Sequence, residues 1–144
     1  MAPHKTRTIR QRVTIPASPE AVYRALTNAR QQAAFTEAHA TGVARVGARF
    51  TAWDDYIRGR HVVLIPGKRI VQEWQTREWP SGLPPSLLEI KLQPSGRGTL
   101  LQMVHANVPA QHAEDLRAGW IEHYWKPLKA WLNARAARVK LRSS

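Results

Sequence analysis

The stretch Gly119 to Leu132, GWIEHYWKPLKAWL, limits what this chain can fold into more than any other. Gly119, Trp120, Tyr124, Pro127, Leu128 and Trp131 fall at steps of three and four residues, which puts them on one helical face. Leu116 extends the stripe one turn upstream, while Lys126, Lys129 and Arg135 fall off it. So wide an aromatic face has to lie on a large apolar surface. Pro127 removes a backbone donor and crowds the carbonyl of His123, which predicts a bend there.

The preceding chain supplies that surface as strands. Ile9, Gln11, Val13 and Ile15 alternate as a first strand. Ser18-Pro19-Glu20 then offers an N-cap, a proline for the first turn and an acid for the helix N-terminus. Two short helices are expected, one around Ala21–Leu26 and one over Ala29–Phe35, followed by a loop from Ala38 to Arg45. Strands are predicted over Arg49–Trp53, Tyr56–Ile65, Arg69–Trp79, Leu88–Leu92 and Thr99–Ala106. Asp54-Asp55, Pro66-Gly67, the proline-rich run 80–85 and Pro94 to Gly98 are the breaks between them. Short connections imply an antiparallel meander, with a long helix starting near Gln111.

The chain of 144 residues suits one domain, with a core over about 9–132 and basic, frayed ends. No apolar run reaches the ~18 to 20 residues of a membrane span. MAPHKTRTIR lacks the apolar core of a secretory signal, and there is no cysteine for disulfides, thiolate chemistry or cysteine-held metals. The default location is cytoplasmic. A net charge of +12 invites a nucleic-acid reading. Much of the excess sits at the ends, at Lys5, Arg7, Arg10 and Arg12, then Arg135, Arg138, Lys140 and Arg142. The interior basic residues occur singly along strands, so a solvated basic surface is the plainer reading and no specific nucleic acid is expected.

An ordered series of short pieces resembles a known family. It comprises IPASPEAVY (15–23), VGARF (46–50), YIRGR (56–60), PGKRIVQEW (66–74), GTLL (98–101), HANVP (105–109), Gly119-Trp120 and YWKPL (124–128). The chain resembles the START-like (SRPBCC) superfamily, and within it the bacterial stand-alone homologues of the C-terminal domain of the heat-shock chaperone ATPase activator. It departs from the pattern at Asp55, where glycine is common, and at His61, where asparagine is common. The resemblance implies an α+β helix-grip fold: a curved antiparallel sheet of about six strands wrapped around a long C-terminal helix, with a cavity between them. It also implies a small apolar or aromatic ligand, as many superfamily members hold, or docking on a chaperone. No catalytic motif carries over.

The expected cavity lining is Phe35, Phe50, Ile57, His61, Trp74, Ile90, Met103, His105, Trp120 and Tyr124. His61, Gln72, His105 and Tyr124 would orient the ligand. His105 shares a strand face with Leu101 and Met103. It reads either as a structural histidine satisfied by a neighbour or as the general base of a cyclase-type reaction. Trp74, Trp120 and Trp131 suit core or cavity wall, with Trp53 and Trp79 near strand ends. His4, His39, His112 and His123 are scattered, and no spacing suits a metal site. Glu73, Glu78 and Glu89 belong on the outer sheet face, so no acid–base carboxylate pair is expected. No cofactor is called for. The partner is a small hydrophobic molecule, or a chaperone or other stress protein with acidic groups met through the basic surface, and the protein is a monomer or homodimer.

Overall fold

The computed structural model describes the backbone of residues 5–143 and the side chains of residues 5–138. His4, and the side chains of Lys140 and Arg142, lie outside the described residues. Seven antiparallel strands form one sheet: β1 (Thr6–Ile15), β2 (Thr41–Gly42), β3 (Arg49–Ala52), β4 (Ile57–Ile65), β5 (Arg69–Thr76), β6 (Ser86–Ser95) and β7 (Gly98–Pro109). Their order is β1-β7-β6-β5-β4-β3-β2, so every pair but β1–β7 joins neighbours in sequence. The two short helices are α1 (Pro19–Thr27) and α2 (Ala29–Thr36). Ser18 caps α1 by accepting the N–H of Ala21 at 3.2 Å, and Asn28 caps α2 in the same way through Gln31.

Two strand limits differ from the alternation pattern. Thr41–Gly42 forms a two-residue edge strand within a segment that reads as a loop, and the Oγ1 atoms of Thr41 and Thr51 meet at 2.6 Å. β5 stops at Thr76. Trp79 leaves the ladder and donates its indole N–H to the carbonyl of Pro84 at 3.0 Å, which ties down the proline-rich loop.

The C-terminal helix runs as α3 (Ala113–Gly119), a π-helical turn (Trp120–Trp125) and α4 (Lys126–Ser143). The irregularity expected at Pro127 therefore takes the form of a wide turn just before it. Its packing supplies the reason. Burial recurs at Leu116, Trp120, Tyr124, Leu128 and Leu132. A step of four residues overshoots a 3.6-residue turn by about 40°, so a purely α-helical path would carry these side chains off the sheet. The wide turn takes up the drift. It also lets adjacent Tyr124 and Trp125 both be buried, and Trp125 donates to Oε1 of Gln11 on β1 at 2.6 Å. The amide of Gln11 in turn donates to the Arg117 carbonyl at 2.9 Å.

Candidate functional site

At one end of the sheet–helix interface an open cleft of about 420 Å³ remains. Trp53, Tyr56 and Ile57 wall it from the β3–β4 turn, Trp74 from β5, and Leu116, Gly119, Trp120 and Tyr124 from the helix; Asp115 and His123 add the polar groups. The turn that presents Trp53 is unusual. Trp53, Asp54 and Asp55 have φ of 53°, 56° and 68°, three successive left-handed residues without a glycine. Side-chain bonds hold the turn: Oδ1 of Asp54 accepts the His39 N–H at 2.8 Å, and Arg77 donates to the Asp54 carbonyl at 3.3 Å.

The aromatic walls interlock. Trp120 lies 4.5 Å from Tyr124 and 5.7 Å from Trp74 between ring centroids, and Trp53 packs edge-on to Tyr124 and His123. Burial pushes the Tyr124 phenol well above its ordinary value, with the nearby Trp53 and Gln32 side chains acting in the opposite sense. The indole N–H of Trp53 faces that phenol without reaching hydrogen-bonding geometry. Gly119 is the gap in the wall. Its φ of −61° is ordinary helix, and a Cβ placed there would meet only His123 Cδ2, at 3.8 Å.

Ile57, Trp74, Trp120 and Tyr124 are the expected lining residues that border this cleft. Deeper between sheet and helix, Phe50, Gln72 and Ile90 line a gap of only about 20 Å³, room for one water at most. Large side chains fill the rest. Phe35 packs against Tyr124 and Trp131, both at 6.3 Å. His61 lies against Phe50 at 5.0 Å with its Nδ1 3.5 Å from the Gln72 amide, and burial lowers its pKa. Met103 and His105 are fully buried away from both spaces.

His105 is held by a directional chain. An indole N–H can only donate, so the bond from Trp120 Nε1 at 3.1 Å makes Nδ1 of His105 the acceptor. The ring proton then sits on Nε2 and is donated to Ser86 Oγ at 2.7 Å, while Ser86 donates to the Trp74 carbonyl at 2.5 Å. Burial lowers the pKa of His105 to about 3. Every polar atom of the chain is satisfied with the imidazole neutral. Among the described residues, no group of three or more His, Asp or Glu could hold a metal ion.

The activator of Hsp90 ATPase homolog 1-like family matches residues 16–133. The chain belongs to that family. A Dictyostelium discoideum relative, the activator of 90 kDa heat shock protein ATPase homolog, is 28% identical over 116 residues. That match takes in 80% of this chain but 30% of the relative, so the chain spans under a third of the curated protein it matches. An HSP90 activator from Plasmodium falciparum superposes with a TM-score of 0.80 at 20% identity, covering 88% of this chain and 96% of that one. The Aha1 dimer from Colwellia psychrerythraea superposes with a TM-score of 0.75 at 21% identity, covering 88% of this chain and 96% of that one. These likenesses establish the helix-grip fold.

Family membership does not predict the cleft's mouth. Trp53, Tyr56, Leu116, Gly119 and His123 border it without having been expected as lining. Leu116 and Gly119 were legible as one helical stripe. Trp53 was not, because its direction depends on a left-handed turn built from residues that do not advertise one.

Proposed function

We propose that this chain binds a small apolar or aromatic molecule in the cleft bordered by Trp53, Trp74, Gly119, Trp120 and Tyr124. The observation that carries the reading is an aromatic-walled space of about 420 Å³ kept open at a glycine that neither backbone nor crowding requires. Small-molecule sites run from about 300 to 1,000 Å³ and are mostly apolar. Each ~100 Å² of ligand surface withdrawn from water contributes about 2.5 kcal/mol. His123 and Asp115 at the rim are placed to meet a polar end of such a ligand. His105 takes no part as a base, since both ring nitrogens are engaged and no surface is exposed.

Native mass spectrometry of freshly purified protein, compared with the denatured sample, tests the reading directly. A small mass lost on denaturation is expected. The neutral fluorophore N-phenyl-1-naphthylamine should bind the wild type and bind Gly119→Leu at least about tenfold more weakly. Absence of both a carried mass and probe binding sinks the proposal.

A second reading follows from the family: a module that docks on a chaperone of the 90 kDa heat-shock class. It is favoured by the family match over residues 16–133 and by the Dictyostelium relative, which is named as an activator of the 90 kDa heat shock protein ATPase. Pull-down of that chaperone at low and high salt, with and without the Gly119→Leu change, separates it from the cleft reading.

A further inference from the structure

The basic residues that occur singly in the sequence are gathered by strand register onto one surface. Side chains alternate across each strand, and the pairing aligns the alternations of all seven strands. Inward positions such as Ile9, Ile57, Ile70, Ile90 and Leu101 face the helix. The positions between them face away from it. At the β3–β4–β5 corner these outward positions carry Arg49, Arg58 and Arg60, with Arg69 and Lys91 further along and Arg10 and Arg12 on β1.

Among the described residues two carboxylates share this face, and both are already engaged: Glu73 with Arg60, and Glu89 with Arg69 at 2.6 Å. Arg49 and Arg58 have no carboxylate partner among the described residues. Arg49 stands directly opposite Arg60 in the ladder, and Arg58 lies between Thr51 and Gln75. Like charges opposite each other across a ladder destabilise the sheet. Here they border an open groove of about 650 Å³ that Thr51, Gln75 and Pro85 also line. Beside the groove are aliphatic side chains: Leu87, 42% exposed, and Val71, buried yet outside the main core cluster.

We propose that this outer sheet face docks an acidic protein segment, with its carboxylates on Arg49 and Arg58. Arginine is enriched at protein interfaces, and Leu87 offers an exposed apolar contact beside the two arginines. A single-stranded nucleic acid would be expected to stack on exposed aromatic side chains, and the aromatic residue that lines this groove, Phe50, is buried. A recessed groove accepts a protruding segment better than a flat bilayer. Charge complementarity supplies the selectivity: the face adds five net positive charges, seven basic residues against two acids. The inference depends neither on an occupied cleft nor on a particular chaperone.

The probe is a fluorescein-labelled glutamate-rich peptide of about ten residues, followed by anisotropy from about 50 to about 300 mM NaCl. The wild type should bind it, and amide shifts in NMR should cluster on β3, β4 and β5. Arg49→Gln with Arg58→Gln should weaken binding at least about tenfold and flatten the salt dependence, leaving thermal stability equal or higher because like charges are removed. The charge-matched pair Arg24→Gln with Arg30→Gln, on α1 and α2, should change affinity less than about twofold. Equal losses from the two pairs, or shifts spread over the helices, overturn the proposal in favour of unspecific charge. Tighter binding of oligo-dT or of anionic phosphatidylserine vesicles through the same two arginines overturns the protein assignment. No binding at about 50 mM salt overturns it outright.

Discussion

Trp120 donates its indole proton to Nδ1 of His105 at 3.1 Å, and this one bond decides the state of the histidine. It fixes the tautomer, directs the ring's own proton to Ser86 and leaves no lone pair for a substrate. Replacing His105 with alanine strands the indole donor of Trp120, removes the proton that Ser86 accepts and opens a void at a site of 0% exposure. The expected cost is about 3 kcal/mol in urea unfolding. His105→Gln, which can still accept and donate, should cost distinctly less. An alanine variant as stable as the wild type would argue against the chain of bonds described here.

The same residue sets a pH dependence. In the folded protein the imidazole resists protonation until about pH 3, whereas in the unfolded chain it protonates near 6.5. Between those values the unfolded state binds more protons, so stability falls as the solution is acidified through that window. The slope approaches ~1.4 kcal/mol per pH unit for this one group. His61, also lowered by burial, adds in the same direction. Above about pH 6.5 neither contributes. Urea midpoints taken down the pH scale should show this loss, reduced in His105→Gln.

Gly59 faces inward on β4 under the ring of Phe50. A Cβ there would lie 2.0 Å from the Glu73 carbonyl oxygen and 2.6 Å from the Phe50 ring. Backbone cannot yield as a side chain can. Gly59→Ala should therefore destabilise by about 2 to 3 kcal/mol and disturb the β4–β5 ladder in amide exchange.

Gly119 behaves in the opposite way. Its helical φ and open surroundings mean that alanine adds no clash. Gly119→Ala should raise stability by about 0.5 to 1 kcal/mol, since glycine is a poor residue inside a helix. Probe affinity in the cleft should fall at the same time. A stabilising change that weakens binding is the signature of a glycine retained for space.

Most of the fold is visible in the alternation of apolar residues. The strand faces of Ile9 to Ile15 and Leu88 to Leu92 follow from period two, and the helix follows from the aromatic stripe. Three features are less legible. Thr41–Gly42 is too short to show a period. The turn at Trp53–Asp55 uses left-handed residues without the glycine that normally signals them, so the direction of Trp53 is hidden. The filling of the inner cavity depends on how Phe50, Gln72 and Ile90 meet across strands, which is a property of packing. One clue was present in the helix itself. Adjacent Tyr124 and Trp125 just before Pro127 are hard to bury together on a regular turn, and the π-helical turn is how both are buried.

That wide turn holds one residue more than a regular helix would need to keep the same face on the sheet. Removing a single residue between Trp120 and Trp125 would leave good helix formers on both sides, free to join as one regular coil. The coil would stay in phase, because at about 100° per residue Leu128 and Leu132 would come to lie within about 60° of Leu116, still toward the sheet; what it would lose is the joint burial of the adjacent Tyr124 and Trp125. This seam is a place where the chain can give up a letter and keep its phase.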